Sequence, residues 1–309
     1  MYEHLVLSSG GVDGIINMGA IISLIQMKAL DMKNIKTIHA VSAGALIGVL
    51  LLLDYDVEYL MDYIIKRPWQ KTFSVDGVNL SNLLKKKGLF DSTQIHEILR
   101  PLIEAKDISS DVTLKEFYAL TNVELFMYST NLNKYPLELV ELSYKSHPDM
   151  CLRLALQMTC CYPVIFTPLF VDDACFVDGG LITKCPTNYC VEYLKRNYWS
   201  KETGVSLDDL YKKILVFKSE SSLDHVTITD DSSLIQYLRH MIQHMNFSIV
   251  NAVDTLQLPN TVLSFNTDTD LTDAWYGCIT SAKKRESYLK MGKRFGHLYL
   301  KMHNSQEKH

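Results

Sequence analysis

Three short stretches hold residues that can do chemistry. The first is Ala40-Val41-Ser42-Ala43-Gly44, a serine ringed by small residues. A serine on a tight turn between a strand and a helix can present its hydroxyl as a nucleophile, and the crowded backbone there needs small neighbours. The free amides opening the helix then point at the reacting atoms. The same residues also read as a plain helix N-cap. The second stretch is Ser9-Gly10-Gly11-Val12-Asp13-Gly14. Its glycines let amides converge on one point, which suits an anion or an oxyanion. Ser9 breaks the spacing of a dinucleotide loop, and the Gly-Lys-Ser/Thr ending of a P-loop is missing. An ordinary strand-to-helix turn is the competing account. The third is Asp178-Gly179-Gly180, either a turn or a general base brought to the same sheet edge as Ser42. The histidines offer less. His39 lies three residues before Ser42, too close in sequence to swing round as its base. His240 and His244 share a helix face at i,i+4, but no adjacent glutamate completes H-E-x-x-H, so a packing or surface role is favoured over a metal site.

The elements that must position these residues show in the hydrophobic pattern. "EHLVLSSGG" reads as a buried strand entering a turn, and "IINMGAIISLIQMKAL" as a helix. "KTIHAVS" is a second strand and "AGALIGVLLLL" a very apolar helix. This alternation is that of an α/β sheet covered by helices. Residues 54–123 read as mostly helical, with turns at "RPWQ", "VDG" and "KKKGLFDS"; Asp91 or Ser92 caps a helix carrying Ile95, Ile98 and Leu99. Strands follow at "ELFMYSTNL" and "PLELVEL", then a helix from Met150 to Cys160. "PLFVDDACFVDGG" reads as two short strands around an Asp-Asp turn. A helix is expected from Pro186 to Arg196, with the proline in its first turn. Further on come a strand at "KKILVFKSE", a long amphipathic helix at "DDSSLIQYLRHMIQHMNFSIVNAVDTL", a strand at "NTVLSF" and a helix from about Ser281 to Met302. Trp199 to Lys213 is the best candidate for a surface insertion.

Composition narrows the function classes. With 309 residues, 47% of them hydrophobic, the chain can bury one large core or two modest ones. A net charge of −4 supplies no broad basic field, which argues against nucleic acid as a partner. The opening "MYEHLVLSSGG" does not read as a signal peptide. The longest apolar run, Val41 to Leu53, is too short to span a bilayer and reads as a buried helix. The seven cysteines form no CxxC pair, which favours reduced, buried thiols and a cytoplasmic setting. The segment from Tyr55 to Lys71, with Trp69 beside Arg67 and Lys71, is amphipathic; it fits a helix packed on the sheet or one at a lipid interface. Lys85-Lys86-Lys87 reads as a solvated charge run that can also touch anionic lipid.

The order of the three stretches, a glycine loop after the first strand, a serine after the second and an Asp-Gly-Gly far downstream, resembles the patatin-like phospholipases. That family's pattern is G-G-G-x-R-G, then G-x-S-x-G, then D-G-G or D-G-A. "GLFDSTQIHEIL", "TLKEFYALTNVELFMYSTNLN" and "LALQMTCCYPVIFTPLFVDDACFVDGG" extend the likeness to about residues 4–195. The resemblance implies a three-layer α/β/α patatin-like sandwich with a mainly parallel central sheet. It implies a catalytic domain over 1–195, with 196–309 as an α/β extension packed on the same core. It implies a lipid acyl hydrolase with a serine-aspartate dyad: Ser42 attacks the ester carbonyl of a phospholipid or lysophospholipid, and Asp178 takes its proton and later activates water. Gly10, Gly11 and Ala43 would supply the oxyanion amides, and Gly14, Gly44, Gly179 and Gly180 would support the motifs. No metal or cofactor is implied, and the partner is a membrane or micelle surface, met peripherally from the cytoplasm. Three residues depart from the pattern: Ala40 and Ser9 stand for glycines, and Asp13 for the arginine. A carboxylate at 13 would tune the site against anionic headgroups. An acyl transferase using the same dyad, and a member that binds lipid or protein without catalysis, are the alternatives.

Overall fold

The computed structural model describes residues 1–74, 84–199, 206–220, 227–266 and 271–306. The "VDG" turn and residues 200–205 of the expected insertion lie outside them. Strand β1 (His4–Leu7) leads through the glycine loop into helix α1 (Gly14–Gln26), and β2 (Thr37–Ala40) leads through Ser42 into α2 (Ala43–Leu52). The chain continues through α3 (Val57–Lys66), α4 (Trp69–Thr72), β3 (Gly88–Phe90), α5 (Thr93–Glu104), α6 (Leu114–Thr121), β4 (Glu124–Asn131) and β5 (Glu138–Leu142). Next come α7 (Leu152–Cys160), β6 (Val164–Phe166), β7 (Leu169–Val171), β8 (Ala174–Asp178), α8 (Thr187–Tyr198) and α9 (Leu207–Tyr211). The last elements are β9 (Ile214–Glu220), α10 (Leu234–Val253), β10 (Thr261–Phe265), α11 (Leu271–Thr280) and α12 (Ala282–Gln306).

The main sheet has the order β10-β9-β1-β2-β4-β8-β7, with β5 also on β4. From β10 to β4 it is parallel; β5, β8 and β7 join antiparallel. Both faces are covered, as a parallel sheet requires. Leu5 and Leu7 of β1 point into the large core under α1 and α2, while Val6 points into a second cluster with Val191 and Leu194 of α8. The strand is therefore uniformly apolar, as its sequence is. This is the α/β fold with a mostly parallel sheet that the motif order implied.

Several local readings change. "KKKGLFDS" contains β3, and the stretch between Pro163 and Pro168 contains β6; these two pair in parallel as a separate small sheet. Three-residue strands show no measurable periodicity. Gly88 permits the pairing, because a Cβ there would collide with the Phe166 backbone. The polar stretch before β9 is not all surface: Leu210 of α9 is buried with Val6 and Ile214. Pro186 is the N-cap residue of α8, one position outside the helix. At α5, Asp91 does the capping, its Oδ1 accepting from the Thr93 amide at 3.0 Å. Helix α11 had no counterpart in the sequence reading. Among the described residues, no helix is long and apolar enough to cross a membrane.

Candidate active site

Ser42 sits on the turn from β2 to α2 with φ 54° and ψ −124°. A non-glycine residue at positive φ is strained, by about 1–3 kcal/mol, and survives only where its surroundings enforce it. The surroundings are specific. The Ser42 amide donates to Thr159 Oγ1 at 3.1 Å, and that hydroxyl donates on to the Tyr128 carbonyl. Gly44 lies so near β1 that a Cβ would overlap the Leu7 carbonyl. Ala40 is fully buried in β2, so the strand accommodates the methyl group that replaces a glycine hydrogen. The serine side chain does not cap the helix, which removes the N-cap account.

Asp178 ends β8 and is 1% exposed. Its Oδ1 accepts the Gly180 amide at 2.7 Å, and the Ser42 hydroxyl is near enough to the carboxylate to favour its charged form. Burial pushes its pKa up from 3.8 to about 7, against the opposing pull of Ser42, the Gly180 amide and Lys184. Gly179 is needed where it stands, because a Cβ would overlap the Tyr128 carbonyl.

Strand β4 explains why these two residues meet. It has eight residues, twice the length of β2. Ala40 pairs with Met127, whereas Asp178 pairs with Ser129, beyond the end of β2 and level with the turn that carries Ser42. The overhang lets an antiparallel strand deliver its last residue to the end where parallel strands deliver theirs. Ser129 Oγ and Thr130 Oγ1 fix the register by bonding to the Val177 and Asp178 carbonyls.

The glycine loop closes the third side. Gly11 has φ 55° and faces open space, and Gly14 brings its backbone against Ala43. Among the described residues, the amides of Gly10, Gly11 and Ala43 meet no acceptor. The loop is tied to the Asp178 segment through the Ser9 amide, which donates to the Lys184 carbonyl at 2.7 Å. Asp13 points elsewhere. It is buried, accepts from Asn266 Nδ2 at 2.7 Å, and is not among the cavity-lining residues.

A cavity of about 200 Å³ opens beside Ser42 and Gly11, walled by apolar side chains such as Met18, Leu46, Ile98, Phe166 and Trp275. Tyr63, Ile64 and Trp69 also line it, so the Tyr55–Lys71 segment is a wall of the cavity. Lys85, Lys86 and Lys87 are exposed. His39 is buried in β2, stacked on Phe126 and bonded to Tyr128 Oη at 2.8 Å. His240 and His244 pack ring to ring on α10, and no cluster able to hold a metal ion occurs among the described residues.

A family model for patatin-like phospholipase matches residues 5–191. The chain belongs to this family. A "Probable lipid hydrolase 463L" of Invertebrate iridescent virus 6 is 27% identical, over 75% of this chain and 80% of that protein. An uncharacterized protein R571 of Acanthamoeba polyphaga mimivirus is 24% identical over 58% of each chain. The solved structure of VipD from Legionella pneumophila superposes with a TM-score of 0.52 at 15% identity, covering 98% of this chain and 67% of that one, which supports a patatin-like fold.

Several residues around the site carry no motif signal. Thr159 and Cys160 end α7; the Cys160 thiol lies beside Ser42, and burial, followed by the nearby Asp178, pushes its pKa well up, so it stands there as a neutral thiol. Asn246 Nδ2 donates to the Gly180 carbonyl at 2.9 Å. Asp254 accepts the Lys184 and Cys185 amides at 2.8 and 2.9 Å, together with the Thr183 hydroxyl. A polar residue closing an apolar helix, as at Thr159, is the only trace of these roles in the sequence.

Proposed function

We propose that this patatin-like protein is a lipid acyl hydrolase acting through a Ser42-Asp178 dyad on fatty-acyl esters of phospholipids or lysophospholipids. The observation that carries the reading is a strained serine beside a buried carboxylate at the polar end of an apolar cavity. The acyl chain lies in the cavity and its ester carbonyl reaches Ser42. The Ser42 oxygen forms a bond to the carbonyl carbon while Asp178 takes the hydroxyl proton. A carboxylate with a pKa of about 7 is a competent base near neutral pH, where an ordinary aspartate is not. The amides of Gly10, Gly11 and Ala43 hold the oxyanion, each such donor being worth roughly 10²–10³ in rate. Collapse expels the alcohol with the proton returned from Asp178. Water, deprotonated by Asp178, then releases the fatty acid and frees Ser42.

A fluorophosphonate probe tests the nucleophile, and a panel of phospholipids and lysophospholipids tests the substrate. The wild type labels and turns over lipid; Ser42→Ala does neither, with its fold intact by circular dichroism. A folded wild type that does not label would overturn the reading in favour of a lipid-binding member without catalysis. New esters formed on added glycerol would redirect it to acyl transfer.

A further inference from the structure

Helix α10 has the composition of a core helix and the placement of a surface one. Its sequence, LIQYLRHMIQHMNFSIVNAV, is mostly apolar and contains no acidic residue. Of its 20 residues, those buried are Asn246 and Val250. Leu234, Tyr237, Met241 and Met245 follow one another at helical spacing and are all exposed, Met245 by 67%. A helix of a globular domain turns such a stripe inward. Here the inward side is held by a polar tie, Asn246 on the Gly180 carbonyl, and the apolar stripe is left outside, next to the Asp178 loop.

A second feature meets α10 at the same strand. The helix packs against β6, whose Phe166 lines the cavity. The other neighbour of β6 is β3, which directly follows the exposed Lys85, Lys86 and Lys87. Phe170 of β7, four residues after Phe166, is 61% exposed with the Lys87 ammonium 5.7 Å from its ring. Arg239, His240 and His244 are the basic residues of α10, and Arg239 lies beside Tyr162, just ahead of β6. The acidic residues bordering this region in sequence are Asp91, Asp172, Asp173, Asp230, Asp231 and Asp254, the last turned inward onto the Lys184 and Cys185 amides. Lysines and exposed apolar side chains thus flank one wall of the cavity. A bilayer with anionic headgroups complements both at once, taking the apolar stripe below its phosphates and the ammonium groups among them. A second copy of the chain would bring the same lysines and no acidic residue of α10 to meet them.

We propose that the exposed stripe of α10, with Lys85, Lys86 and Lys87, is the surface on which the protein seats itself on an anionic lipid bilayer, beside the Phe166 wall of the cavity. The proposal rests on the lipid-hydrolase reading for its choice of occupant. Its test does not need catalysis. Ser42→Ala protein is sedimented with vesicles of phosphatidylcholine and phosphatidylserine. Adding Met241→Glu and Met245→Glu lowers vesicle affinity by about tenfold or more. Replacing Lys85, Lys86 and Lys87 by glutamine lowers it several-fold, and does so less on pure phosphatidylcholine. On the wild-type serine background, the methionine pair leaves hydrolysis of a soluble short-chain ester within about twofold, which also shows that the variant is folded. Vesicle binding that survives the methionine substitutions overturns the proposal. So does a wild-type dimer that these substitutions dissociate and that does not bind vesicles, because the stripe then belongs to a second copy. An inactive wild type on the soluble ester sinks the hydrolase reading alone, since the sedimentation is read with the serine already removed.

Discussion

At the scale of single residues, Asp178 links activity to stability. Its carboxyl titrates near 7 in the fold against 3.8 as an ordinary aspartate. In the proposed dyad Asp178 works ionised, so turnover falls as pH drops below about 7 and is level above it. Stability runs the other way. The folded pKa is raised, so the advantage of the buried neutral carboxyl is fully present below about pH 4 and is lost as pH rises to about 7. Asp178→Asn keeps the shape without the ionisation. It abolishes turnover and melts higher than wild type, by an amount that widens between about pH 4 and 7 and then stays constant. At one pKa unit per ~1.4 kcal/mol the gap approaches about 4 kcal/mol at most. A pH-independent gap in thermal melts would contradict this. The motif residues were legible in the sequence because their sites admit few side chains. Gly44 and Gly179 lie against carbonyl oxygens where a Cβ cannot fit. Asp13 was legible as a departure, not as a contact: its partner Asn266 is 253 positions away. The buried Asn266 bond leaves little room for an arginine, so Asp13→Arg would cost stability before it could alter headgroup preference.

At the scale of elements, the Asp178 loop is held from outside the family-matched segment. Asp254, just after α10, accepts two backbone amides and a hydroxyl from residues 183–185, and Lys184 lies between the carboxylates of Asp254 and Asp178. Removing Asp254 leaves those amides unpaired, at about 1–3 kcal/mol of stability. It also loosens the loop that carries Asp178, which on the proposed mechanism costs kcat by up to ~10²-fold. With Asp254→Ala, Lys184 faces Asp178 alone, so the pH midpoint of turnover moves below 7. A loss of stability with an unmoved midpoint would limit Asp254 to a structural role. Elements with a long apolar run, such as α1 and β4, or with an amphipathic period, such as α7, were readable in advance. Strands β3 and β6 were not, because three residues carry no period and their pairing depends on a partner more than seventy positions away. The role of α10 was hidden for another reason. Its amphipathic pattern predicts a helix but not which face the core takes.

At the scale of the whole molecule, the last third of the chain finishes what the first two thirds begin. Strands β9 and β10 extend the sheet from β1. Helix α12 lies along α1, with Gly292 against the Ile16 carbonyl and Gly296 against Ser23. Arg285 reaches the Ile65 carbonyl and, with Trp275 and Ile279, supplies part of the cavity wall. None of this follows from the three motifs, which specify an edge of a sheet and leave the enclosure open. The enclosure gives the protein an optical property. Two of its three tryptophans, Trp69 and Trp275, face the cavity, while the third, Trp199, is 40% exposed at the end of α8. A fatty acid entering the cavity therefore displaces water from two indoles at once. Titrating oleate into Ser42→Ala protein should shift the tryptophan emission to the blue, and Trp69→Phe with Trp275→Phe should erase the shift. On the proposed function, the two indoles would act as a built-in fluorescent gauge of whether an acyl chain is in place.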